Sequence, residues 1–471
     1  LSLWGSKKAV NNFFVSRFLT YFMLFVDSIQ NSQLFLTGKR EPFFMSEPRV
    51  SASLQSLPSV DRLLRTPEAV ALRETFGLDR ITAAARSVIS ELRQEIQNGP
   101  NNGETATNSR DDLLAYATAR LKETCARESL GRIRRVINAT GVILHTNLGR
   151  APLAEAAVTA IAREASGYCT LEYDALTGTR GRRGENVEKL LIQLTGAEDA
   201  LVVNNCAAAA LLILTVLAAG GETIVSRGEL VEIGGDFRVP EVMANSGTRM
   251  IEVGSTNRTR LEDYRKAISQ NTHLIMRVHQ SNYRIVGFTA APSLADLARC
   301  AHEVNLLLYE DAGSGAIVDL SNYGLGDEPL IKDSIAQGTD VVSFSGDKLL
   351  GATQAGLIVG RRSVVSRLRK HSLYRALRAD KLCLAALEAT LETHLRGRTF
   401  TDVPALQMLA ATAEDVQDRA ENLLSRLNVG HNTRLRAELR IGESAVGGGS
   451  GPNVRPATTL IALSHPALSA D

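Results

Sequence analysis

Seven short apolar runs between residues 200 and 360 constrain this chain more than any other feature. They are ALVVNN (200–205), ETIVS (222–226), TRMIEV (248–253), HLIMRV (273–278), NLLLYE (305–310), DVVSF (340–344) and GLIVG (356–360). Helical stretches separate most of them. Strands that alternate with helices predict an α/β domain with a mostly parallel sheet. Near-continuous apolar strands fit a sheet covered on both faces. The uncharged run Cys206–Ala219 is too short for a bilayer and predicts a buried helix after a strand.

The rest of the chain has a different texture. The stretch 1–44 is rich in Phe and Leu but interrupted by Asn11, Asn12, Arg17 and Asp27. It reads as translated upstream sequence, a non-native leader, with Met45 as the natural start. Residues 45–130 read as a small helical domain, with Ile81, Ala84, Val88, Leu92 and Ile96 at helical spacing. Residues 131–370 form the large α/β domain. Residues 371–471 carry helices at 382–394 and 410–427, then a Gly-rich turn and the strand-like TTLIAL, which predicts a smaller α+β domain.

Composition excludes some classes. A net charge of +2 does not announce a nucleic-acid binder, so any basic site is local. Residues 61–135 hold 13 Lys/Arg against 11 Asp/Glu, a weak positive excess. Five widely spaced cysteines with no CxxC pair argue against a disulfide framework and structural zinc, and suit a reducing cytoplasm.

Lys348 ends an apolar strand, three residues after Ser345. That pattern suits a pyridoxal phosphate (PLP) enzyme, in which the lysine forms a Schiff base and the serine reaches the phosphate. Alone, it fits a surface lysine in a turn equally well. Asp311, in YEDAGSG, lies 37 residues earlier at another strand end and suits the carboxylate that keeps a pyridine nitrogen protonated. Asn205 and Cys206 open the alanine-rich helix, whose N-terminus offers free N–H groups to a phosphate. Residues 361–381 hold eight Lys/Arg and one acid, Asp380. TRGRRG (179–184) and NLGR (147–150) add guanidinium groups, which suit anions or simply a solvated face.

With RRVINATGVILHTNLGRAPL (134–153), SRGELVEIGGDFRVP (226–240), VGSTNRT (253–259), VHQSNYRIVGFT (278–289), SFSGDKLLG (343–351) and RALRADKL (375–382), the chain resembles bacterial selenocysteine synthase, the L-seryl-tRNA(Sec) selenium transferase family. The resemblance runs from about Pro58 to Pro456. It implies a fold-type-I PLP-dependent transferase, with the helical domain gripping tRNA and the subunits forming a homo-oligomeric ring of dimers such as a decamer.

The reaction implied is conversion of L-seryl-tRNA(Sec) to L-selenocysteinyl-tRNA(Sec) with selenophosphate, through a PLP-bound aminoacrylyl intermediate, in the cytoplasm and away from membranes. By motif match Lys348 holds PLP, Asp311 faces the pyridine nitrogen, and Arg150, Arg375 and Arg378 bind the selenium donor. His279 is a candidate acid for hydroxyl departure, or a structural histidine.

The chain departs from the family at GATQAG (351–356), where GGPQAG is usual, and at NNC (204–206), where NNN is usual. It also stops before a terminal strand segment, which reads as a truncated C-terminal domain. Two other readings are a PLP-dependent lyase or desulfurase acting on a small amino acid, and a tRNA-binding protein with degenerate catalysis.

Overall fold

A computed structural model describes residues 54–98, 109–233, 237–427 and 436–465; the 1–44 leader and most of the Gly/Asn loop 98–109 lie outside the described residues. The chain divides into two compact units, joined at Ile137–Asn138.

The first unit is helical: α1 (Val60–Leu64), α2 (Pro67–Phe76), α3 (Leu78–Asn98) and α4 (Arg110–Leu130). Its helices start where side chains take up free N–H groups. Ser59 caps α1, Thr66 caps α2 with Pro67 in the first turn, and Ser109 and Asp112 form a capping box at α4. Leu63, Phe76, Ile81, Val88, Leu92, Leu121 and Cys125 fill one core. On α3 the buried stripe runs Ile81, Ala85, Val88, Ile89, Leu92, whereas Ala84 and Ile96 are only half-buried. The expected spacing holds, and the stripe is rotated by about one residue.

In the second unit all seven apolar runs are strands of one sheet. They are β1 (Asp199–Val203), β2 (Glu222–Ser226), β3 (Arg249–Val253), β4 (Thr272–Val278), β5 (Leu307–Gly313), β6 (Val341–Ser345) and β7 (Gly356–Gly360). Their order is β1-β7-β6-β5-β4-β2-β3. Only β7 is antiparallel to its neighbours, so the sheet is mostly parallel as expected. β1, β2, β6 and β7 are buried at every residue, because helices cover both faces.

Helices α5 (Glu155–Ala165), α6 (Glu185–Thr195) and α7 (Cys206–Ala218) precede β2. The uncharged run is α7, packed with Tyr309, Val341 and Ile358 in one core layer. Each fully buried Leu or Ile there contributes about 1.5–3 kcal/mol. Val342, Phe344 and Leu357 point to the opposite face, against α6 and the later α9 (Lys381–Leu395). Between β7 and α9 lies the short α8 (Ser372–Leu377).

The expected helix 410–427 starts later, as α10 (Ala413–Leu427). Thr412 and Asp415 exchange capping bonds there, a Thr-x-x-Asp signal that marks a fresh helix start. An antiparallel hairpin, β8 (Arg436–Glu443) and β9 (Ala457–Ser464), follows. β9 is the expected TTLIAL strand, and β8 is its unforeseen partner. No described helix is long and apolar enough to cross a membrane. All five cysteines are free thiols.

Candidate functional site

The sheet places the candidate residues by register. Ser343 on β6 is the register partner of Asp311 on β5, and Val341 that of Tyr309. Residues two apart on a strand share a face. Tyr309, Asp311 and Ser343 therefore line one surface, beneath the start of α7.

Asp311 is buried, and its Oδ1 accepts hydrogen bonds from Ser343 Oγ at 3.1 Å and Cys206 Sγ at 3.6 Å. Burial pushes its carboxyl above the ordinary value, while the Ser343 hydroxyl, the Lys348 charge and the Cys206 thiol pull it back. The same burial, with Asp311 alongside, holds the Cys206 thiol well above its usual range. Cys206 is thus a protonated donor and no thiolate.

Lys348 follows β6 in a tight loop and is only 4 % exposed. This excludes the surface-turn reading. Its amine makes no hydrogen bond or ion pair among the described residues. Across from it stands Gly449, at φ +75°; a Cβ there would lie 3.7 Å from Lys348 Nζ and 3.4 Å from Ser281 Oγ. The Gly-rich turn of the C-terminal segment is therefore a wall of this site. Hydrogen bonds hold it on both sides. Leu144 N–H donates to Val446 O at 2.8 Å, and Gly451 N–H donates to Glu328 Oε1 at 2.7 Å.

Asn205 caps α7, its side chain accepting from Ala208 N–H at 2.8 Å. Ser345 Oγ donates to Asp347 Oδ1 at 3.1 Å, within the lysine loop. Arg150, in left-handed backbone, donates to Asp347 Oδ2 at 2.8 Å, so it reaches the immediate neighbour of Lys348.

Arg375 and Arg378 are three residues apart, a spacing that predicts one shared helix face, but they do not share one. Arg375 is exposed on α8, whereas Arg378 is an extended residue just past that helix. The backbone there stitches onto β1: Asn204 N–H donates to Leu377 O at 2.9 Å, and Arg378 bridges Val203. Arg378 thus lies beside the Asn205–Cys206 helix start. Its Nε is buried without a hydrogen-bond partner.

The TRGRRG arginines serve structure. Arg180 and Arg183 pair with Glu172, as does Arg378 at 3.4 Å, and Arg182 pairs with Glu188. Hydrogen bonds from Arg183 and Arg180 hold the Glu172 carboxyl below its usual range.

His279 donates its backbone N–H to Asp311 O at 3.0 Å, and its Nδ1 lies 3.9 Å from Glu328 Oε2. Burial lowers its pKa, despite the opposing pull of Glu328. Its Nδ1 is buried without a hydrogen-bond partner, so it is not a fully satisfied structural histidine.

These residues fit PLP. A buried amine stands near a buried carboxylate, and the start of α7 lies alongside. The hydroxyls of Ser281, Ser314 and Ser450 are buried without partners, on segments that touch the lysine loop or its glycine wall. Buried orphan hydroxyls are expensive, and a polar group placed among them would satisfy them. Glycine also lets the start of α7 pack closely on β7: a Cβ at Gly356 would lie 2.0 Å from Asn205 O.

Sequence reasoning missed Asp347, Glu172, Glu328 and Gly449. Asp347 was adjacent to Lys348 and could have been singled out. Glu328 and Gly449 depend on loop contacts that no local pattern encodes.

Comparison with known proteins agrees with this geometry. The family described as L-seryl-tRNA selenium transferase matches residues 136–471, and a selenocysteine synthase N-terminal family matches residues 54–93. An L-seryl-tRNA(Sec) selenium transferase of Geobacter sulfurreducens is 46 % identical, over 86 % of this chain and 87 % of that protein. One from Moorella thermoacetica is 49 % identical over 85 % and 83 %. A solved D-glucosaminate-6-phosphate ammonia-lyase is 24 % identical, covers 73 % of this chain and 82 % of its own, and superposes with a TM-score of 0.50, a likeness of fold alone. The expected fold type I of PLP-dependent transferases is thus borne out. With identity near one half sustained over both units, this chain belongs to the L-seryl-tRNA selenium transferase family.

Proposed function

We propose that this protein is a PLP-dependent transferase that converts L-seryl-tRNA(Sec) to L-selenocysteinyl-tRNA(Sec). The observation that carries the reading is the buried Lys348 amine beside the buried Asp311 carboxylate, in a chain of this family. PLP, when bound, supplies an electron sink for the serine α-carbon. Lys348 would carry the cofactor, and its Nζ would take the α-proton. Asp311 would hold a proton at the ring nitrogen. Asn205, Cys206 and Ser345 would hold the phosphate, at or near a helix N-terminus that favours an anion.

Arg150 and Arg378 suit an anionic selenium donor such as selenophosphate. Arg150 touches the neighbour of Lys348, and Arg378 keeps a buried Nε free. Arg375, exposed on α8, is free to act at the site of a second copy in a homo-oligomeric ring of dimers. The helical unit, with its own core, would grip the tRNA largely by shape. Five free thiols suit a cytoplasmic protein.

The test is incubation of the PLP-loaded protein with seryl-tRNA(Sec) and selenophosphate, followed by chromatography of the released amino acid. Selenocysteine is expected. Turnover of free serine or cysteine with no need for tRNA would instead assign a small-molecule lyase or desulfurase. Binding of tRNA without any conversion would assign a degenerate site.

A further inference from the structure

Asp311 is the end of a chain of side chains, and the chain has a direction. Tyr309 OH lies 2.8 Å from Ser343 Oγ, and Ser343 Oγ lies 3.1 Å from Asp311 Oδ1. Ser343 has one hydroxyl proton. If it donates to the carboxylate, as the acceptor-only chemistry of an ionised Asp requires, Tyr309 must donate to Ser343. Cys206 Sγ supplies a second donor to the same Oδ1, at 3.6 Å. Oδ2 receives no side-chain donor among the described residues.

Cys206 Sγ also lies 4.0 Å from Ser343 Oγ, and a backbone hydrogen bond from Gly313 reaches the Asp311 carboxylate. Tyr309 and Ser343 are fully buried, and their hydroxyls have no exit to water. Burial keeps the tyrosine hydroxyl well above its ordinary pKa, so it remains a donor. The titratable groups facing Asp311 are Tyr309 on its own strand, Cys206 at the start of α7 and Lys348 after β6, while His279 after β4 contributes its backbone N–H.

We propose that Tyr309 and Ser343 are positioning residues, a two-hydroxyl relay that fixes the Asp311 carboxylate by Oδ1 and leaves Oδ2 for the ring nitrogen of the cofactor. The proposal rests on the reading of Asp311 as the pyridine partner. Sheet register builds the relay: Asp311 faces Ser343 across β5 and β6, and Tyr309 is two residues back on the same face. Hydrogen bonds in series at low dielectric strengthen one another, so removing the outer hydroxyl weakens the inner bond.

The experiment titrates pyridoxal phosphate into Tyr309→Phe, Ser343→Ala, the double variant and Asp311→Asn, and measures kcat and KM for seryl-tRNA(Sec). Tyr309→Phe and Ser343→Ala should each weaken cofactor affinity and lower kcat about tenfold, with KM unchanged. Because the hydroxyls act in series, the double variant should be no worse than Ser343→Ala alone. A merely structural role would give additive losses in thermal midpoint with kcat intact, and that result overturns the relay. Should Ser343→Ala fold poorly, Tyr309→Phe, which removes one oxygen, decides alone: affinity and kcat within twofold of wild type sink the relay. The control separates the two readings. A crippled Asp311→Asn beside silent Tyr309→Phe and Ser343→Ala defeats only the relay, whereas a fully active Asp311→Asn defeats the reading of Asp311 beneath it.

Discussion

Arg150 donates to Oδ2 of Asp347 at 2.8 Å, so a guanidinium from the N-terminal part of the sheet unit anchors the residue next to Lys348. Asp347 is buried, and its remaining side-chain donor is Ser345. Loss of the arginine leaves that charge under-compensated, at a cost of about 1.5–3 kcal/mol for a charged hydrogen bond. Arg150→Ala should therefore lower turnover about 10–100-fold, and Arg150→Lys should recover part of it. A loss of twofold or less in the steady-state rate would show that Asp347 needs no such partner.

Lys348 is expected to be the covalent anchor. Borohydride reduction of the PLP-loaded protein should fix the cofactor to the peptide containing Lys348, as peptide mass mapping will read. Lys348→Ala should lose at least about a thousandfold in turnover, since the residue combines anchoring and proton transfer. Label on Lys332 or any other lysine refutes the assignment.

Much of this was legible in advance, and the reasons are physical. β1, β6 and β7 are near-continuous apolar runs because both faces are covered, and even the edge strand β3, which carries Arg249 and Glu252, kept enough apolar residues to stand out against the helices between them. Lys348 and Asp311 were visible because charges at the ends of apolar strands are costly without a purpose. The placement of Arg378 was not visible. Its spacing from Arg375 suggested one helix face, but α8 ends at Leu377 and the chain turns to bridge Val203. That bridge joins residues 175 positions apart (378 − 203), and no local propensity encodes it. The capping pair Thr412–Asp415 was legible and was passed over.

His394 gives a pH dependence with a definite sign. It is buried between Leu350 O and Thr399 Oγ1, each 2.9 Å from a ring nitrogen, and burial lowers its pKa. The neutral ring donates from Nε2 to Leu350 O and accepts at Nδ1 from Thr399. The unfolded state then binds more protons than the folded one between the lowered value and about 6.5. Stability is full above about 6.5 and falls as pH drops through that window. Thermal midpoints measured from pH 8 to 5 should decline, and His394→Gln should flatten the decline. An unchanged slope would show that this histidine does not set it.

Gly449 tests the wall opposite Lys348. Its φ of +75° is strained for any side chain, and an added Cβ would face both Ser281 Oγ and Lys348 Nζ. Gly449→Val should reduce kcat at least about tenfold while circular dichroism stays native, the added methyls intruding on the space above the amine. Wild-type kcat in that variant would mean that the turn stands clear of the reacting groups.

The helical unit has its own core and capped helices. Removing residues up to 130 should leave a PLP-binding sheet unit whose affinity for tRNA(Sec) falls at least about a hundredfold in filter binding. With only a weak positive excess, that affinity should also depend modestly on salt. Undiminished binding by the shortened protein would move tRNA recognition elsewhere.

The glycine wall also orders events during synthesis. Lys348 and its carboxylate partner leave the ribosome about a hundred residues before Gly449, which closes the site from the other side (449 − 348 = 101). At about 5–20 residues per second, that interval lasts several seconds. A nascent chain therefore spends those seconds with its amine exposed on one flank, open to any reactive aldehyde. The segment around Gly449 turns this half-built cleft into a closed one, so termination before it yields a sheet whose key lysine lacks shelter.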